Sequence, residues 1–444
     1  MPGVRRDLRF ARAGLVLLAT CLGVAYSFVT PLGEAPDEAA HVYYLDQLLE
    51  SGALPRYAPA AERQSYEAHQ PPLDYVLVAC AARALGVGPI GFPFVPNPDL
   101  DFRSSASRAF LPVAAPPDAV RRFHVVRLIR LAWLPLTLLA IAGAVGRVVG
   151  AGSHAGLAAI CLVGLAPQLL HTSATFNNDG GVVAFSCLCL LLLLRLVGSV
   201  PFSPGLALLA GASAACAILS KGSGLALVAP LGLAAWWALR GPRGWRVAAA
   251  LLAPLALAGA ALLALNALRF GTPRFAFPAA PGHDVLASAL RLVAEPEWLA
   301  TLWSSFWARF GWFNLPLPVA AYALFLPATV AVGIGLLARA SERGGRAAEQ
   351  TASRRRRLAA CALAANLLLV VAFMVAVNWQ PQGRLLLPSL GALAVLAASG
   401  IESGWRRWRG DRAGPSGAVL AGLALAAMVA VNLLGLIWIG RAYR

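Results

Sequence analysis

Asp37 and Glu38 follow the first apolar stretch of this chain, and His41 comes three and four residues behind them. On a helix, i,i+3 and i,i+4 steps put both carboxylates on the face of the imidazole. A carboxylate partly shielded from water beside a membrane suits a general base acting on a hydroxyl. Acids in a first helical turn also complement the helix dipole without doing chemistry. A second polar group, Glu67-Ala68-His69-Gln70-Pro71-Pro72-Leu73-Asp74-Tyr75, contains two prolines that stiffen the chain and hold His69 and Gln70 in a defined direction. A third, Phe176-Asn177-Asn178-Asp179, sets an acid at the head of a very apolar segment. There it either caps a helix or converges with Asp37 over one pocket. Lys221, Arg384 in Gln382-Gly383-Arg384, Arg127 and Arg130 supply the cations. Guanidinium matches phosphate in shape and charge, although cations at the ends of spans also snorkel to headgroups. No metal-site spacing stands out, and no cofactor is expected beyond a divalent cation that Asp37, Glu38 and Asp179 could share.

These groups need a scaffold, and composition indicates its kind. Of the 444 residues, 59% are hydrophobic and 13% charged, which excludes an ordinary soluble domain. Apolar stretches long enough to cross a bilayer recur from end to end: about 12–30, 125–148, 154–171, 180–198, 205–220, 223–239, 246–267, 317–338, 358–378, 384–400 and 416–440. The expected fold is an all-α, polytopic membrane protein of about eleven transmembrane helices, forming one domain over 1–444. Residues 205–239 read as one long block or as two short helices. The net charge of +17 comes from arginine, with Lys221 the one lysine. Arginines gather at 5–12, 147, 195, 240–246, 339–357 and 406–412. The positive-inside rule therefore accounts for the charge better than nucleic-acid binding does. It puts the N-terminus in the cytoplasm and the long loops 31–124 and 269–316 outside, with 339–357 a flexible basic connection inside. An odd number of spans would leave Arg441 and Arg444 outside, against the rule. The first span reads as a retained anchor. Seven cysteines, six of them within spans, read as small apolar residues. Usage rich in Ala, Gly and Arg points to a bacterium and hence to its cytoplasmic membrane.

Within the first loop, Pro36 to Ser51 has helix signals. His41, Tyr44, Leu45, Leu48 and Leu49 make one apolar face, expected to lie on the membrane surface. Leu73 to Leu85 is apolar but too short to span, a second juxtamembrane segment, and 87–117 reads as irregular. The loop 269–316 carries Phe275, Phe277, Trp303, Phe306, Trp307, Trp312 and other aromatics. They form either an interfacial belt or a wall for a sugar or lipid.

Taken together, Pro36-Asp37-Glu38 with His41, His69-Gln70-Pro71-Pro72-Leu73 with Tyr75, Asn178-Asp179, Lys221, Ser305-Phe306-Trp307 with Phe310-Gly311-Trp312, and Gln382-Gly383-Arg384 form an ordered set of landmarks. That set resembles the GT-C superfamily of polyprenyl-phosphate-dependent glycosyltransferases, of the protein O-mannosyltransferase and aminoarabinose-transferase type, and is most like a bacterial branch of it. The resemblance implies a transferase moving a sugar from a polyprenyl-phosphate-linked donor to an acceptor glycan, lipid or protein at the outer membrane face. It implies a catalytic acid at Asp37 with Glu38 beside it, a second acid at Asp179, and lipid-phosphate ligands at Lys221, Arg384 and Arg127. Substrate contacts fall on His41, His69, Gln70, Tyr75, Asn178, Trp307 and Trp312. The chain departs from the aminoarabinose-transferase pattern before the prolines, where His69-Gln70 replaces a Glu-Lys pair.

A transporter or flippase for lipid-linked saccharides is the rival class. Such proteins keep ionisable groups at mid-membrane, whereas the acids here cluster at span ends and in loops. A GT-C-like scaffold without activity is a third reading.

Overall fold

A computed structural model describes residues 2–55, 66–105, 107–199, 201–273, 282–338, 345–409 and 416–444. The first helix, α1 (Pro2–Val29), crosses to the loop that holds α2 (Glu38–Ser51) and α3 (Leu73–Ala84). Next come α4 (Pro117–Leu131) and α5 (Trp133–Val149), separated by a single residue. The pair α6 (His154–Gly164) and α7 (Pro167–Ala174) bends by 53°. Pro167 has no N–H to continue the helix, so the ladder breaks ahead of it. Then follow α8 (Asp179–Leu196), α9 (Pro204–Ser220), α10 (Val228–Leu239) and α11 (Gly244–Phe270).

The second long loop holds α12 (Val285–Ala294), α13 (Glu297–Trp307) and a small hairpin, β1 (Arg309–Phe310) against β2 (Leu315–Pro316). The chain ends with α14 (Leu326–Leu337), α15 (Gly345–Ala376), α16 (Leu390–Arg409) and α17 (Ser416–Ala442). Among the described residues nine helical segments are long and apolar enough to cross a membrane. The bent α6–α7 pair passes the same test as a unit, and α9, with 17 residues, is a shorter apolar helix. Every one of the eleven expected stretches is helical. The protein is an all-α, multi-pass membrane protein.

The block 205–239 is two helices. Lys221 has φ −160° and ψ 145°, an extended backbone that interrupts α9, and a 3₁₀ turn, Gly222–Leu227, restarts the chain into α10. The break places the lysine at a helix end instead of in the bilayer.

Two other expectations change. The apolar face of α2 does not lie on a membrane surface. His41, Tyr44, Leu45, Leu48 and Leu49 are buried within the protein, where Tyr44 stacks on Tyr75 of α3 at 3.8 Å. Burial against α3 and α4 removes the same apolar area from water and fixes the helix rigidly. In the second long loop the described residues from 282 to 316 hold α12, α13 and the hairpin, and Phe275 and Phe277 lie outside the described residues. Finally, 345–357 is no flexible connection but the start of the 32-residue α15. Residues 339–344 lie outside the described residues.

Candidate active site

The loop ends of α2, α8, α9 and α16 meet the short helix Tyr66–His69 over one polar cluster. Asp37 precedes α2 with φ 64°, one of the few non-glycine residues in the left-handed region. Aspartate tolerates that conformation at a modest cost, and such residues concentrate at functional sites. Its carboxylate pairs with Arg384 and accepts a hydrogen bond from the Tyr66 hydroxyl at 2.8 Å. Arg384 also donates to Gln382 Oε1 at 2.9 Å and lies over the ring of Phe313, 5.4 Å away.

The arginine is held in place from behind. Gly383 N–H donates to Ser305 Oγ at 2.7 Å, and a Cβ on Gly383 would overlap the backbone of Leu302 and Phe306. Only glycine lets the Arg384 segment lie this close to α13, which explains the pairing of the Ser305-Phe306 and Gly383-Arg384 landmarks.

On the other side, Lys221 Nζ donates to Asp179 Oδ1 at 2.6 Å. Asn177 Oδ1 accepts from the Asp179 N–H at 2.8 Å and from Arg130 Nη2 at 2.7 Å. Between the two ion pairs, Gln70 joins the loops. Its Nε2 donates to Glu67 at 2.6 Å, and its Oε1 accepts from Asn178 at 3.0 Å. His41 Nδ1 is 2.5 Å from the Tyr75 hydroxyl. Asn178 Oδ1 and Asp179 Oδ2 are buried and have no partner among the described residues. Buried acceptors are rarely left so, and orphans of this kind mark a place for donors from elsewhere.

Electrostatics separate Asp37 from Glu67. Burial pushes Asp37 up, but the Arg384 charge, the nearby His41 and the hydrogen bonds from Arg384 and Tyr66 outweigh it and hold the carboxyl well below its ordinary value. Burial, reinforced by the Asp37 charge, pushes Glu67 up to about 7 against the hydrogen bond from Gln70. Burial lowers His41 to about 3 and His69 to about 4, so both imidazoles are neutral at pH 7. Glu67 was not singled out from sequence. Its place four residues before Pro71, next to His69-Gln70, was the available signal.

Several expected residues do other work. Glu38 does not stand beside Asp37 as a reacting group. It forms a fully buried two-point pair with Arg127, Nε to Oε1 at 2.8 Å and Nη2 to Oε2 at 2.6 Å. It also accepts from the N–H groups of Gly33 and Phe176. Arg127 spends its remaining donors on the carbonyls of Ser27, Thr30 and Pro31, so it offers nothing to a lipid phosphate. The pair is a strut joining α1, the Asp37 segment, α4 and the Asn178 loop. Arg130 is likewise buried, 3.7 Å from Asp74. Trp307 is core, stacked on Phe325 at 4.8 Å. Trp312 donates to Gly33 O at 3.2 Å and so pins the first loop instead of lining the cluster. His69 bonds the Tyr66 carbonyl at 2.7 Å, within its own turn.

Asp37, His41 and Glu67 come together, with one ligand atom from each within 4.8 Å of the others, and could hold a divalent cation. Two carboxylates and a neutral imidazole suit a first-row divalent ion.

No family model matches the chain, and no curated protein matches it. Among solved structures, ArnT from Cupriavidus metallidurans bound to undecaprenyl phosphate superposes with a TM-score of 0.50 at 17% identity, over 95% of this chain and 62% of that one. The two proteins share a fold. This chain therefore spans less than two thirds of the length of ArnT. The oligosaccharyltransferase of Archaeoglobus fulgidus, in complex with Zn and sulfate, gives a TM-score of 0.47 at 13% identity, over 96% of this chain and 53% of that one.

Proposed function

We propose that the protein is a membrane glycosyltransferase that moves a sugar from a polyprenyl-phosphate donor to an acceptor hydroxyl, with inversion at the sugar carbon, on the outer face of the cytoplasmic membrane. The observation that carries this reading is the double ion pair, Asp37–Arg384 and Lys221–Asp179, facing one cluster that also holds two orphaned acceptors. Resting, each cation is neutralised by a carboxylate. A phosphate anion entering the cluster competes for both cations, and the guanidinium of Arg384 can grip it at two points.

That exchange links donor binding to base strength. Once Arg384 turns to phosphate, Asp37 loses the charge that depresses its proton affinity and keeps Glu67 as a close neighbour, which raises it. Asp37 then takes the proton of the acceptor hydroxyl as that oxygen bonds to the sugar carbon. The bond from this carbon to the phosphate oxygen breaks, and the lipid phosphate departs as a stable anion held by Arg384 and Lys221. It needs no proton, so no general acid is required. Asn178 Oδ1 and Asp179 Oδ2 accept from sugar hydroxyls. Orienting two substrates and stabilising the departing charge supply most of the rate. A cation held by Asp37, His41 and Glu67 would add positive charge next to the acceptor oxygen.

The test is transfer of radiolabelled sugar from polyprenyl-phosphate donors to membrane extract by purified protein in nanodiscs. Transfer that is lost in Asp37→Asn supports the reading. Binding of donor without transfer by the wild type, from any donor tried, favours a carrier or scaffold.

A further inference from the structure

Arg130 occupies a costly setting. Its side chain is fully buried, and its counter-charge, Asp74 of α3, stands at 3.7 Å, beyond hydrogen-bond reach. It also lies at the N-terminus of α8, where a Cβ on Gly180 would overlap its guanidinium and where the helix dipole repels a cation. An ion pair this loose repays little of the desolvation of its two charges, so the arginine is a poor device for stability alone. Its short contact is with Asn177, whose Oδ1 accepts from Arg130 Nη2 at 2.7 Å.

Asn177 has every polar group engaged. The same Oδ1 accepts from the Asp179 N–H at 2.8 Å, while Nδ2 donates to Thr172 O at 2.7 Å and to Thr175 O at 3.2 Å. The amide therefore has one orientation, with its oxygen toward Arg130 and the head of α8. Two glycines leave room for this arrangement. Besides the clash at Gly180, a Cβ on Gly181 would overlap Asp74 Oδ1. Glycine is a poor helix former, and two of them in the first turn of α8 fit a need for clearance around a charged pair. Beyond Asp179 the contacts continue to Lys221 Nζ at 2.6 Å. One series, Asp74, Arg130, Asn177, Asp179 and Lys221, thus runs from α3 to the break after α9.

We infer that Arg130 is a positioning residue: acting through Asn177, it locks the head of α8 and so sets the Asp179 carboxylate against Lys221, where the donor phosphate is to bind. The consequence for transfer rests on the glycosyltransferase reading, whereas the contacts stand without it. Without Arg130 the Asn177 amide is free to turn, the Asp179 N–H loses its acceptor, and Lys221 loses a fixed anchor. Errors of about 1 Å in such a group cost about 10²-fold in rate.

Lys221 is the one lysine of the chain, so its amine reports on the series without any need for turnover. The full-length protein in nanodiscs is treated with formaldehyde and dimethylamine borane, and methylation of Lys221 is timed by mass spectrometry of its peptide. In the wild type Asp179 holds the amine and only 12% of the side chain is exposed, so methylation is slow. Arg130→Gln by itself strands the buried Asp74 charge and is therefore combined with Asp74→Asn. Asn177→Ala breaks the series without touching either charge. Both variants, like Asp179→Asn, should methylate Lys221 about tenfold faster, the effect of losing one charge-assisted hydrogen bond. Added to Asp179→Asn, Asn177→Ala should give no further increase. Arg122→Gln, on the same helix α4 but outside the series, should match the wild type. Transfer kcat, normalised to folded protein, should fall about 100-fold in both variants with little change in donor KM. Unchanged methylation in both variants overturns the inference. So does an equal rise in Arg122→Gln, an additive rise on Asp179→Asn, or faster methylation at wild-type kcat. A wild type that transfers no sugar counts against the reaction, and the methylation rates then judge the positioning by themselves.

Discussion

Replacing Asp37 by Asn tests the coupling between donor binding and proton transfer. The amide keeps the shape and still accepts from Tyr66, whose hydroxyl reaches the carboxylate at 2.8 Å, but it no longer carries the charge that holds Arg384. The Asp37 side chain is about a quarter exposed, with 23% relative accessibility, so solvent screens part of that pair and its worth belongs at the low end for a charge-assisted bond. Such bonds contribute about 1.5–3 kcal/mol. A phosphate that no longer competes with Asp37 for Arg384 should therefore bind about tenfold tighter, each tenfold being ~1.4 kcal/mol. Turnover should move the other way, since removal of a general base typically costs about 10²- to 10⁴-fold. Filter binding of tritiated undecaprenyl phosphate and single-turnover sugar transfer measure the two quantities on one preparation. A variant that binds lipid phosphate more weakly than the wild type would refute the partner exchange at Arg384. A variant within tenfold of wild-type turnover would refute Asp37 as the base.

Three further outcomes follow from the same geometry. Glu38→Gln leaves Arg127 buried with an uncompensated charge and should cost about 3–5 kcal/mol of stability, read as a lowered melting temperature; the folded fraction should turn over normally, unlike Asp37→Asn. Glu67 is raised to about 7 from an ordinary 4.5, so the folded protein holds a proton there that the unfolded chain releases. Stability then falls as pH rises from about 4.5 through 7, and Glu67→Gln, measured with EDTA present, should raise the melting temperature at pH 8 but not at pH 4; no change at pH 8 would argue that Glu67 is already balanced by a cation. Manganese added to EDTA-treated protein should raise the melting temperature of the wild type and not of His41→Ala, because the cluster Asp37, His41 and Glu67 loses one ligand; an equal rise in both would exclude His41 as a ligand.

The membrane scaffold was legible in the residue pattern because bilayer thickness dictates the length of each apolar run, and every expected stretch is a helix. Asp37, Asp179, Lys221 and Arg384 were legible too, since charged groups at the ends of such helices are costly to keep and stand out by type alone. Type alone could not assign partners. Asp37 and Glu38 are adjacent in the chain, yet the left-handed backbone at Asp37 turns its carboxylate to Arg384, 347 positions away, while Glu38 takes Arg127, 89 positions away. Which acid faces the polar cluster and which braces thus depends on contacts between distant helices. Trp307 and Trp312 show the same limit: an aromatic reads alike as a wall, a belt or a core residue until its neighbours, here Phe325 and the Gly33 carbonyl, are in place. Glu67 was hidden for the opposite reason. It lies in a short polar turn with no periodic signal, and its raised proton affinity exists only because folding buries it beside Asp37.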